Sequence, residues 1–250
     1  MTGLLAVAGR TVRQVLPTKR LVGFGLLELA AVGVFVLSSL DRTPARVGEI
    51  EVTIVLTVFF PLVVPIVGLV LGAAALGDER RDRTLPFLVL RPLPRIGIAG
   101  AKLVGAAGAA VGLNLLGATG ISLAAAAMGS TGPGPVPLVT GTILATVAYL
   151  AIFVPLGFLV ERAVLAGLTF VFVFENGIAG ALPGVAGLSA WRRGAAAYLD
   201  LAGEGWAKVI PEAVVGGLHG GVVGTTLEIV AAAAVGVLAV AAALRYRDLA

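Results

Sequence analysis

The sequence predicts an all-α membrane protein with six transmembrane helices, and three observations carry that prediction. Hydrophobic residues make up 58% of the 250 and charged residues only 13%, against about 45–50% and about 25% in soluble domains. Mean hydropathy is +1.04, so the excess apolar surface must face something other than water. The apolar residues also fall in six runs, near 21–40, 53–76, 103–129, 138–160, 163–181 and 222–244. Each is long enough to cross a hydrocarbon core about 30 Å thick, which takes roughly 20 residues. We read 1–250 as a single transmembrane domain.

Composition excludes several classes. There is no cysteine, so disulfides and thiolate metal sites are unavailable. His219 is the single histidine, which leaves no histidine-based metal site and no His-dependent catalytic cluster. The pI near 10.0 would hint at nucleic acid in a soluble protein. Here the positive charge sits at the ends of apolar runs, which points to membrane orientation and to no nucleic-acid partner.

Residues 2–16 come first. Leu4, Leu5, Ala8, Val12, Val15 and Leu16 recur at helical spacing, Arg10 and Arg13 lie opposite, and Pro17 ends the pattern. The pattern predicts an amphipathic helix along the cytosolic membrane surface, its arginines toward anionic headgroups. The first apolar run is too long for a signal peptide and no small-residue cleavage pattern follows it. Placing the N-terminus inside puts thirteen Lys and Arg on the inner side and five on the outer side. With an even number of spans, both termini are then cytosolic.

Pro61 and Pro65 in the second run and Pro155 in the fourth remove backbone donors and should kink their helices. Gly68/Gly72 and Gly108/Gly112 permit close helix packing without selecting an interface. No internal repeat is visible, so the inverted-repeat logic of many carriers has no support. Between the second and third runs, Gly77, Asp78 and Glu79 end one span. Thr84 can cap a short helix from Leu85, with Pro86 in its first turn. Leu85, Phe87, Leu88 and Leu90 offer an apolar surface flanked by Arg83, Arg91 and Arg95, and Pro92 and Pro94 stop it. Spacing alone fits a helix seated in a soluble partner's cleft and one floating on headgroups equally well.

Three glutamates fall at membrane depth, Glu28, Glu175 and Glu228, with Asn114 and Asn176 as weaker members of the set. A carboxylate there costs on the order of 3 kcal/mol. Each therefore faces a cavity, a partner or protons, or is protonated or bonded to a neighbouring helix. The last loop, roughly 182–221, carries Trp191, Trp206 and Tyr198, rings that favour an interface. We expect short helices resting on the outer leaflet, with Pro211 and the glycines at 216, 217, 220 and 221 turning the chain back and His219 without a special role.

Glu79-Arg80, Thr84-Leu85, Leu88, Arg91-Pro92, Arg95 and Lys102 resemble the cytosolic loop of the ABC-2 type permeases, the membrane subunits of a class of ATP-binding cassette transporters. That loop runs as Glu-Arg, Gly-Thr-Leu, a leucine pair, Arg-Pro, Ser-Arg and Gly-Lys. This chain departs at Arg83 where glycine is usual, at Pro94 where serine is common and at Ala101 before the lysine. A second stretch, Arg162-Ala163, Phe174-Glu175, Leu182-Pro183 and Leu188-Ser189, is similar to the family's fifth-span region, with Phe174 for the usual tryptophan.

The resemblance spans essentially the whole chain and implies a permease subunit in a prokaryotic plasma membrane, an exporter working as a homodimer or with a related permease. It implies that Glu79, Arg80, Thr84, Leu85, Phe87, Leu88, Arg91, Arg95 and Lys102 couple to a separate ATPase subunit, and that the transport pathway lies between the permease copies. No phosphate-binding loop occurs, so ATP and Mg would bind the partner and this chain would carry neither cofactor nor enzymatic activity. An ion-coupled secondary carrier using the buried glutamates, or an accessory permease in metalloenzyme maturation, are the other readings. No residue selects a substrate.

Overall fold

The computed structural model describes residues 2–82, 84, 93–209 and 220–246. The proposed coupling helix, with Leu85, Phe87, Leu88 and Arg91, lies outside them, as do Pro211 and His219. The described residues are predominantly helical, without a strand among them. They form α1 (Thr2–Val15), α2 (Thr18–Ser39), α3 (Pro44–Arg81), α4 (Arg95–Ala127), α5 (Pro135–Leu159), α6 (Ala163–Ala181), α7 (Ala190–Ala202) and α8 (Gly221–Tyr246), with helical turns between α6 and α7 and after α7. Six of them, α2 to α6 and α8, are long and apolar enough to cross a membrane, as a multi-pass membrane protein requires. They carry the six apolar runs to within two residues, and α3 and α4 begin well before theirs.

α3 and α5 form the centre and α2, α6 and α8 the periphery. The second and fourth spans meet through small residues. A Cβ on Gly72 would lie 2.9 Å from the Phe153 Cβ, and one on Gly157 would run into the Ala73 carbonyl. Gly68 faces Tyr149 in the same seam, whereas Gly108 and Gly112 of α4 meet nothing. Of the two small-residue pairs, only the first serves packing within the chain.

The prolines act as their chemistry dictates. Around Pro61 the helix widens to a π-helical stretch, Val55–Val63, closed by the Val64 N–H on the Phe59 carbonyl five residues back. Proline has no N–H for the usual bond, and the wider turn absorbs the defect. A second π-helical stretch, Phe170–Ile178, lies in α6. Pro155 deprives the Ala151 carbonyl of its donor, and α8 covers that carbonyl closely: a Cβ on Gly236 would sit 2.7 Å from it.

α1 is helical as the periodicity predicts, but its apolar stripe is divided. Val7, Thr11 and Val15 are buried, and α4 approaches so closely that a Cβ on Gly105 would lie 2.6 Å from the Ala8 carbonyl. Leu5 remains exposed on the other edge of the stripe.

The largest departure concerns 182–209. α7 does not rest on a surface. Trp191 and Tyr198 are buried in the main hydrophobic core, and α7 runs antiparallel along the first half of α5. Ser189 and Trp191 lie near Tyr149, Gly194 lies against Gly141 and Ala145, and Tyr198 lies against Gly141. After α6 the chain therefore turns back into the bundle and returns toward α8, whose Val222 N–H donates to Asp200 at 2.9 Å. The Gly-Ala-Ala-Ala run at 194–197 makes this possible, because small side chains let two helix backbones touch. Trp206 is half-buried against Gly48, and Gly220 and Gly221 turn the chain at φ 96° and 53° as expected of glycine.

Candidate functional site

Two groups of polar side chains stand out, one at an end of the bundle and one half-way along it. At the end where α1, the close of α3 and the start of α4 converge, Lys102 is 2% exposed and pairs with Glu79. Its Nζ also donates to Gln14 Oε1 at 3.0 Å, and Gln14 Nε2 donates to the Ala74 carbonyl at 3.4 Å. Arg20 donates to Asp78 at 3.2 Å, and Arg81 contacts the same carboxylate at 3.0 Å. Arg80 donates to the Phe158 carbonyl at 2.9 Å and reaches Glu161 at 3.7 Å. A pocket of about 680 Å³ opens among Arg10, Gln14, Arg20, Asp78, Glu79 and Lys102.

Several residues named for coupling thus have structural work in this chain. Glu79, Arg80 and Lys102 tie α1, α3, α4 and α5 to one another, with Glu79 pairing Lys102 through one carboxylate oxygen while its other oxygen is buried without a partner. Thr84, read as an N-cap, here closes the end of α3, its N–H and Oγ both directed at the Glu79 carbonyl at 2.9 and 3.3 Å. Arg95 opens α4, half-exposed. All five lie at this same end of the bundle. Gln14, Arg20 and Asp78 were not among the expected members. Only the sign alternation at the span boundaries hints at them.

Half-way along the bundle, Glu175 is 1% exposed and accepts three hydrogen bonds. Ser189 Oγ and the Ala190 N–H donate at 2.8 Å each, and Tyr149 Oη donates at 3.2 Å. Ser189 and Ala190 begin α7, so the carboxylate also sits at that helix's positive end. Arg192 follows, its guanidinium 5.0 Å from the Trp191 ring centre. Glu175 therefore pins the re-entrant helix to α5. Asn176, next in sequence, faces the other way. Its Nδ2 donates to the Val171 carbonyl at 2.8 Å and to the Pro61 carbonyl at 3.5 Å, linking the two π-helical stretches. An open cleft of about 460 Å³ lies here, lined by Thr57, Pro61, Glu175, Asn176, Trp191 and Arg192 among others.

The other intramembrane residues divide. Glu228 pairs with Arg193 of α7, and Arg193 also donates to the Gly187 carbonyl at 3.2 Å. Asn114 is fully buried and donates to Thr146 Oγ at 2.9 Å, while its Oδ1 has no partner. Glu28 is buried against Gly117 and Phe59. The geometry brings Glu175, Asn176 and, through Arg193, Glu228 around α7, and leaves Glu28 and Asn114 between α2, α4 and α5.

Glu51 was missed. It is 1% exposed, accepts from Ser130 Oγ at 3.3 Å and leaves its second oxygen unpartnered. A helix boundary at 53 placed it in a loop, whereas α3 begins at Pro44. Among the described residues no cluster of three or more His, Asp or Glu side chains could hold a metal ion. Comparison with known protein families and with curated proteins finds no match to this chain.

Proposed function

We propose that the chain is the membrane-spanning subunit of an ATP-binding cassette transporter of the ABC-2 permease type, with both termini in the cytosol. The observation that carries this reading is the order and spacing of Glu79-Arg80, Thr84-Leu85, Leu88, Arg91-Pro92, Arg95 and Lys102, followed by Arg162-Ala163 and Phe174-Glu175 in the fifth span. Support comes from the gathering of Glu79, Arg80, Thr84, Arg95 and Lys102 at one end of the bundle. These residues belong to α3, its close and α4, so a push delivered at that end would reach two spans at once. The basic bias at that end supports a cytosolic orientation for it.

On this reading two permease chains and two ATPase chains form the transporter in a prokaryotic plasma membrane, and ATP and Mg belong to the partner. The cleft beside Asn176 forms part of the pathway wall, since exposed Thr57 and Asn176 suit water or substrate better than lipid. Export is the direction we infer.

Charge reversal at Arg91 or Arg95, or Phe87→Asp, should separate ATP hydrolysis from transport in reconstituted vesicles and weaken co-purification of the ATPase. Undiminished pull-down of the ATPase by all three variants counts against the assignment. An ion-coupled carrier is the second reading, favoured by Glu28, a buried carboxyl with no hydrogen-bond partner. Transport that needs the co-expressed ATPase and survives a protonophore excludes it.

A further inference from the structure

The three carboxyls at membrane depth sit in surroundings that differ in kind. Glu175 accepts three N–H and O–H donors, and Glu228 has the Arg193 guanidinium. Glu28 has neither. It lies on the stripe Phe24, Glu28, Ala31 and Phe35, the buried side of a helix otherwise turned outward. It is 2% exposed, and neither of its oxygens has a hydrogen-bond partner. On α4 it meets Gly117, where a Cβ would overlap Oε2, and the ring of Phe59 in α3 lies against the same spot.

No cation pairs with Glu28 among the described residues. On α4, Lys102 is engaged with Glu79. On α3, Arg46 pairs with Glu49, and Glu51 accepts from Ser130 near the other end of the bundle. An ionised carboxylate lacking both donors and a cation in an apolar seam costs far more than the neutral acid. One turn before Gly117, Asn114 Oδ1 is another buried acceptor without a hydrogen-bond partner.

We propose that Glu28 is a proton-binding site, a neutral carboxylic acid while the first span is docked on the third. Any motion that parts α2 from α4 wets the carboxyl and lets its proton leave, so that motion carries one proton on or off. The proposal holds whichever energy source drives the protein, and its failure leaves the ATPase-dependent reading untouched.

The test is a hydrophobic carbodiimide, N,N′-dicyclohexylcarbodiimide, applied to the full chain in membranes at neutral pH and mapped by peptide mass spectrometry. The acid adds across one C=N bond, its proton going to nitrogen and its oxygen to the central carbon. The resulting O-acylisourea rearranges to a stable N-acylurea, and nothing is released. We expect an adduct at Glu28, none at Glu175 or Glu228, and loss of the adduct in E28Q. Adducts on Glu175 or Glu228 with Glu28 unmodified overturn the proposal. Infrared spectra of wild type against E28Q give a readout independent of reagent access. Loss of an un-ionised carboxyl C=O band in E28Q supports the proposal; loss of carboxylate bands, or no difference, refutes it.

Discussion

Lys102→Met tests the pair that fastens α4 to α3. The two side chains are 2% and 16% exposed, and removing one member of a buried ion pair costs about 3–5 kcal/mol because the other charge is stranded. Glu79 keeps some contact with water, which selects the lower end, about 3 kcal/mol. For a chain of this length that corresponds to a fall in Tm of roughly 6–12 °C. Thermal unfolding in detergent, followed by intrinsic tryptophan fluorescence, reads it directly. Glu79→Gln should be milder, because Lys102 Nζ keeps Gln14 Oε1 at 3.0 Å. The double variant Lys102→Met/Glu79→Leu removes both charges and should recover most of the loss. A Lys102→Met protein that melts with wild type, or a double variant as unstable as the two single changes combined, refutes the reasoning.

Two further outcomes follow from the re-entrant helix. Tyr149→Phe and Ser189→Ala each remove one donor from Glu175, a loss of about 1.5–3 kcal/mol for a bond to a charged group, and should speed hydrogen exchange of the first amides of α7 by mass spectrometry. Unchanged exchange in both variants means the carboxylate does not hold that helix. Gly194→Val forces a side chain into Gly141 and Ala145, where even a Cβ would lie 2.6 Å from the Gly141 carbonyl. It should destabilise by about 1–3 kcal/mol or prevent folding. Gly108→Val, at a position where an added Cβ meets no atom within 4 Å outside its own helix, serves as the control and should leave the Tm of the purified protein near wild type.

Much of the scaffold is written in the composition of its segments. Runs of some 20 apolar residues carry a signal that no soluble alternative explains, and all six became helices able to cross a bilayer. The defects at Pro61 and Pro155 followed from local chemistry, whereas the sequence did not distinguish the Gly68/Gly72 seam from the Gly108/Gly112 pair that packs against nothing. What stayed hidden depends on pairings between distant residues. Trp191 and Tyr198 look interfacial in isolation, and their burial requires knowing that the run at 194–197 fits the small face of α5. Glu79 and Lys102 look like free charges flanking a loop until the fold brings them together across 23 residues. Glu51 escaped notice because the apolar run starts later than the helix that carries it. The site was legible at Glu175 and Asn176, where polar atoms interrupt an apolar run. It was not legible at Tyr149, Ser189 or Gln14, whose hydrogen bonds leave no periodic trace.

The widened turns in α3 and α6 have a consequence for how these helices tolerate change in length. A π-helical stretch holds one residue more than an α-helix over the same rise, and each residue rotates the chain by about 100°. Side chains beyond Val63 are therefore out of phase with those before Val55. Deleting one residue within 55–63 would restore a regular winding and swing the half bearing Glu51 around the axis relative to the half bearing Gly68 and Gly72. The two halves of this helix could then no longer face their present neighbours at once, so the surplus residue behaves as a phase adjuster that lets one rod serve two differently aimed contacts.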